Sequence, residues 1–155
     1  MLVELNEGAN RFTISPDGKR LLRCCDKNPL PRPIDERGEL RDLDDLQSYY
    51  LDHQGLFLVA MHHGQVIGTG AIRYLDDDTA ELKRLWLLEA YHGQGIGYRL
   101  VQTLLRFAQA AGYKRIRLLT DRRQDRAMHF YQRLGFQLIP CPGDDPNDVC
   151  MDLAI

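Results

Sequence analysis

Tyr91-His92-Gly93-Gln94-Gly95-Ile96-Gly97-Tyr98-Arg99-Leu100 is a glycine-punctuated turn set between an apolar, strand-like run and an amphipathic helix. Gly93, Gly95 and Gly97 strip side chains from alternate positions, so successive backbone N–H groups converge on one point without steric interference. The helix that follows begins here. Its first amides lack intrahelical acceptors, and its dipole places roughly half a positive charge at the same end. A phosphate suits such a turn.

Upstream, residues 79–88 alternate polar and apolar and then turn almost wholly apolar, which predicts a strand half exposed at one end and buried at the other. Before them, residues 56–61 and 66–74 are apolar runs joined by a short His-Gly connection and should pair antiparallel. Asp76-Asp77-Asp78 lacks the spaced acceptors and terminal Glu of a calcium loop and reads as a charged turn. Downstream, Leu100, Val101, Leu104, Leu105, Ala108 and Ala111 line one face of a helix stopped by Gly112. Residues 114–120 read as a strand, and Ala127, Phe130, Tyr131 and Leu134 mark a second helix stopped by Gly135. Strand, helix, strand, helix implies a right-handed crossover with parallel pairing. Residues 136–139 and 149–153 finish the sheet around a loop rich in Pro and Asp.

Nearer the N-terminus, Phe12-Thr13-Ile14 and Leu21-Leu22-Arg23-Cys24-Cys25 flank Ser15-Pro16-Asp17-Gly18, the pattern of a hairpin. Pro29-Leu30-Pro31-Arg32-Pro33 reads as an extended connector. Leu40, Leu43, Leu46 (or Gln47) and Tyr50 predict one amphipathic helix ending near Gly55, with Glu39, Asp42, Asp44 and Asp45 opposite. That acidic side either meets a cationic substrate or is simply solvated.

The 155 residues, 44% hydrophobic, fit a single domain over 1–155. A net charge of -2 argues against an extended nucleic-acid surface. With no basic N-terminal segment and no run of about 18 apolar residues, a soluble cytoplasmic protein without a membrane partner is expected. Four cysteines without a CxxC spacing match neither a metal site nor a disulfide framework and are expected to be buried or idle thiols. His62 and His63 point to opposite faces if they lie on a strand, so they read as turn residues rather than ligands, and no metal site is expected. His129 is expected at the surface.

Two motifs carry a family resemblance. His92-Gly93-Gln94-Gly95-Ile96-Gly97 follows an apolar strand, and Ala127-Met128-His129-Phe130-Tyr131-Gln132-Arg133-Leu134-Gly135-Phe136 contains Phe-Tyr, three residues, Gly-Phe. Together they resemble the GNAT superfamily of acyl-coenzyme A dependent N-acyltransferases over residues 56–139. His92 stands where Arg or Gln is usual, at a position that works mainly through its backbone N–H, and Gln124 where Asn is common. A dinucleotide fingerprint fails on glycine spacing and on its missing ribose-binding acid, and a P-loop lacks its Gly-Lys-Ser/Thr.

The resemblance implies a mixed α/β, mostly antiparallel sheet that splays beside acetyl-coenzyme A and is flanked by helices. In such a protein the diphosphate accepts from the amides of His92, Gly93, Gln94, Gly95, Ile96 and Gly97. Tyr98 and Arg99 open the helix behind them, Gln124 takes a cofactor-binding position, and the pantetheine arm pairs with Leu85, Trp86 and Leu87. The implied reaction moves an acetyl group to an amine in a ternary complex. Freeing an amine of pKa about 10.4 at neutral pH costs roughly 4 to 5 kcal/mol, so a base is needed. Family position points to Glu81, or else this is an exposed carboxylate paired with Lys83 or Arg84. Tyr131 matches the tyrosine that protonates the departing thiolate, or else it is a core aromatic. Arg115, Arg117, Arg122, Arg123 and Arg126 either receive the adenosine phosphate or are solvated. Gly68 and Gly70 leave room for substrate or mark a bulge. The acceptor, a small-molecule or protein amine, is not identified by the sequence, and homodimerisation is left open. A non-catalytic acyl-coenzyme A binding or sensing module is the rival reading.

Overall fold

The computed structural model describes residues 2–4, 11–14, 21–24 and 41–155. Strands β1 (Leu2–Glu4), β2 (Arg11–Ile14) and β3 (Leu21–Cys24) precede two one-turn helices, α1 (Arg41–Asp44) and α2 (Leu46–Tyr49). There follow β4 (Leu56–His62), β5 (Gln65–Tyr74), β6 (Thr79–Leu87), α3 (Ile96–Ala110), β7 (Arg115–Asp121), α4 (Asp125–Arg133), β8 (Gln137–Ile139) and β9 (Asp148–Ala154). Among the described residues one sheet runs β1-β4-β5-β6-β7-β9-β8, while β2 and β3 form the expected hairpin apart from it. Only β1–β4 and β6–β7 are parallel, so the sheet is mixed and mostly antiparallel as anticipated.

The apolar face of α3, built by Ile96, Leu100, Val101, Leu104 and Ala108, packs across β4, β5 and β6. Gly112 and Gly135, at φ 95° and 97°, end the two long helices in the left-handed region. Gly68 and Gly70 are what let α3 lie so close. A Cβ at Gly70 would stand 2.8 Å from Leu104 Cδ1, and one at Gly68 would stand 2.8 Å from the Trp86 carbonyl oxygen and 2.9 Å from Leu87 Cδ1. A backbone atom cannot rotate away as a side-chain tip can. Gly68→Ala is therefore expected to destabilise the fold by about 1–3 kcal/mol, read as a lower urea midpoint with unchanged slope; an unchanged midpoint would show that the sheet yields there.

Four expectations about the fold are corrected. The single helix over residues 40–50 is broken in two, because the Asp45 side chain accepts from the Ser48 N–H at 3.0 Å and starts a new helix in mid-run. His62 is not a turn residue. It ends β4 on the same face as buried Leu58 and Ala60, with Nδ1 2.6 Å from the Tyr91 hydroxyl, and only His63 and Gly64 turn the chain. Cys141 and Cys150 are not idle thiols: they form a disulfide across Cα atoms 5.3 Å apart, where Ile139 pairs with Cys150 and brings the loop back. The fourth correction concerns β6 and is taken with the site. The proline-rich connector at 29–33 lies outside the described residues.

Candidate active site

The site begins where the sheet parts. β6 and β7 pair through Thr79, Ala80 and Glu81 opposite Arg115, Ile116 and Arg117, and among the described residues no strand pairs with β6 on this side beyond that point. A bulge precedes the free stretch: Arg84 and Leu85 together stand opposite Gly70, between the pairs Ala71–Lys83 and Thr69–Trp86. The Leu88 N–H bonds the Ile67 carbonyl at 2.8 Å, so backbone groups of Trp86 turn to β5 and those of Leu85 and Leu87 turn to the opening. Exposure along β6 therefore runs opposite to expectation. Thr79, Ala80 and Leu82 are buried, whereas Leu85, Trp86 and Leu87 are only half-buried because they wall a groove.

The glycine turn closes one end of this groove. Gly93 and Gly95 both adopt φ 77°, and Gly95 is the residue on which α3 starts. Among the described residues, the amides of 93–98 have no backbone acceptor, the first helical bond being Arg99 N–H to the Gly95 carbonyl at 3.0 Å. His92 behaves differently from the expectation. Its backbone N–H is bonded to the Glu89 carbonyl at 3.0 Å, and it is the ring that serves the site, with Nε2 2.8 Å from the Leu87 carbonyl. Since a carbonyl only accepts, Nε2 carries the proton. The Leu87 carbonyl is thus engaged, leaving the Leu87 N–H and both backbone groups of Leu85 directed at the groove.

The opposite wall is α4. Tyr131 is 8% exposed, with its ring edge-on to Phe130 and Phe136, and it lines the groove. Burial pushes its phenol up to about 12, so it stays protonated throughout the neutral range. The groove measures about 780 Å³ and gathers Leu85, Trp86, Leu87, His92, Gly93, Gly95, Ile96, Gly97, Tyr98, Gln124 and Tyr131. Gln94 and Arg99 are exposed and outside its lining; the Gln94 amide bonds the Ala90 carbonyl at 3.1 Å. Of the basic group, Arg126 reaches the groove, while Arg115 and Arg123 are paired with Asp152 and Asp121. Arg133 also lines it and was not anticipated. Helical spacing from Arg126 and Phe130 was the signal that could have found it.

Glu81 is not in the groove lining. Gly68 and Gly70 face Leu100 and Leu104 of α3, so the two-residue period puts Arg73 and its cross-strand partner Glu81 on the opposite sheet face. There Glu81 Oε2 lies 2.7 Å from Arg73 Nη2, an ion pair without hydrogen-bond alignment, and neither Lys83 nor Arg84 is its partner. Arg84 instead grips Asp42 through Nε at 2.9 Å and through Nη2, and the Tyr50 hydroxyl donates to the same carboxylate. Burial raises the Asp42 carboxyl, but the hydrogen bonds from Arg84 and Tyr50 outweigh it and hold the carboxyl below its usual range.

A sheet that parts beside a helix headed by amides without backbone acceptors defines a mixed α/β domain with an anion-ready groove between β6 and α4. The chain belongs to the Acetyltransferase (GNAT) family, whose sequence pattern it matches over residues 20–136. N-acetyltransferase 8B of Homo sapiens is 39% identical over 118 residues, which cover 72% of this chain and 51% of that protein. The chain thus spans about half the length of that curated relative. An acetyltransferase of Streptococcus agalactiae superposes with a TM-score of 0.72 at 26% identity, over 79% of this chain and 80% of the other. PaiA N-acetyltransferase of Thermoplasma acidophilum, solved in complex with coenzyme A, gives 0.63 at 25% identity, over 78% and 72%. Among the described residues no helix is long and apolar enough to cross a membrane.

Proposed function

We propose that the chain transfers an acetyl group from acetyl-coenzyme A to an amine by direct attack in a ternary complex. The observation that carries this reading is that, among the described residues, the Leu85 and Leu87 edge of β6 lies beyond its pairing with β7 and meets the amides of 93–98 in one groove. Backbone donors at a helix start fit a diphosphate, and the free edge at Leu85 and Leu87 fits an extended amide-bearing arm. Relatives named N-acetyltransferases support a nitrogen acceptor.

Bound there, the thioester supplies an activated carbonyl and a thiolate leaving group. Glu81, on the face opposite α3, takes a proton from the incoming ammonium directly or through water, and the free amine it leaves attacks the carbonyl from that side. The Leu87 N–H donates to the carbonyl oxygen as negative charge grows. Attack forms the C–N bond; as the intermediate collapses and the C–S bond breaks, Tyr131 gives its phenolic proton to the thiolate, and the second proton shed by the nitrogen restores the phenol.

Thiol release on mixing acetyl-coenzyme A with a panel of amines tests the reading. Tight cofactor binding with no amine-dependent release would replace it by a non-catalytic binding module. Once an acceptor is found, Tyr131→Phe is expected to lower kcat about a hundredfold with KM for acetyl-coenzyme A unchanged, because the ring still fills its place. Equal turnover in the two proteins would leave Tyr131 a packing residue.

A further inference from the structure

Arg84 holds φ 52°, a left-handed backbone that a residue with a Cβ enters only under strain. Three contacts converge on it. Asp42 of α1, 6% exposed, receives both arms of its guanidinium; Tyr50 steadies that carboxylate; and the Thr69 hydroxyl donates to the Arg84 carbonyl at 2.6 Å. Arg84 is also the first of the two bulged residues on which the aim of the groove depends. Continued without the insertion, the Ala71–Lys83 register would set Leu85 opposite Thr69. Trp86 would then present its backbone to the groove, and Leu85 and Leu87 would turn theirs to β5. A slip of one residue reverses every position that follows it.

We propose that the Asp42–Arg84 pair is the positioning device of the cofactor groove, holding the bulge and with it the parity that directs the Leu85 and Leu87 backbone at the cofactor. The inference rests on the coenzyme reading of the groove. It gives the helical segment before the sheet a part in cofactor binding although α1 contributes nothing to the groove lining.

Arg84→Ala and Arg84→Gly separate positioning from simple stability. Both remove the ion pair, but only glycine accepts φ 52° without strain. Titrating each folded variant with coenzyme A by calorimetry, beside its melting temperature, should show affinity lowered at least about tenfold in Arg84→Ala and within about threefold of the parent in Arg84→Gly. Asp42→Asn, which keeps the shape and one acceptor, should fall between them, and it carries the test if Arg84→Ala does not fold. Melting temperatures that drop together while all three bind coenzyme A like the parent would overturn the proposal, as would equal loss of affinity in the glycine and alanine variants. Failure of the parent itself to bind coenzyme A is a separate result and removes the coenzyme reading instead.

Discussion

Glu81→Gln is expected to cut turnover about 10²-fold or more at neutral pH while the affinity for coenzyme A stays at its parental value. The substitution keeps size and hydrogen-bonding capacity but removes the negative charge and the basicity. Because Glu81 lies on the sheet face opposite α3 and outside the groove lining, the cofactor should not sense the change. The residual rate should climb roughly tenfold per pH unit as the amine loses its own proton, so the gap to the parent narrows toward the pKa of the acceptor, about 10.4 for a lysine-like amine. A melting curve guards against a trivial cause, since Arg73 loses its charged partner. Parental turnover with a parental pH profile would remove Glu81 from the chemistry and leave it as half of an ion pair.

The second large effect is expected at the turn. Gly95→Asp should weaken coenzyme A binding at least about a hundredfold, equivalent to about 2.7 kcal/mol, with little change in melting temperature. Apart from its chain neighbours, no heavy atom of the described residues lies within 4 Å of where a Cβ at Gly95 would sit, and Asp enters the left-handed region more readily than most residues, so the fold accommodates it. An aspartate at the start of α3 also suits the helix dipole. The same carboxylate competes for the amides of 93–98 and repels a diphosphate, and two unit charges 4 Å apart near a protein surface interact by about 4 kcal/mol. Stability and binding should therefore move independently. Parental affinity in this variant would mean that the anion sits elsewhere, and the groove would need another occupant.

His92 shows what a motif read in one dimension misses. The family pattern assigns that position a role through its amide, yet the amide is used by Glu89 and the imidazole reaches back to Leu87, five residues earlier on β6. Nothing in the spacing announces that bond, because it depends on a short 3-10 turn folding the chain back on itself. Glu81 is the reverse case. Its place on β6 was legible, but its partner was sought among Lys83 and Arg84 on the same strand, while the sheet supplies Arg73 from the strand beside it. The apolar end of β6 was likewise taken for buried core, since composition cannot tell a residue covered by protein from one that walls a groove.

The sequence by itself determined the elements from β4 onward and their order, because hydrophobic period and left-handed glycines act over a few residues: α3 with its apolar stripe, Gly112 and Gly135 as stops, the β4–β5 hairpin and the exposed amides ahead of α3. Only the tertiary structure decided where β6 leaves β7, that Arg84 is forced to φ 52° and gripped by Asp42, and that Cys141 meets Cys150. The physical reason is one of range. A bulge, a splay and an ion pair between residues 42 positions apart follow from which strands lie side by side, and that choice is made by the burial of the whole core rather than by any local pattern.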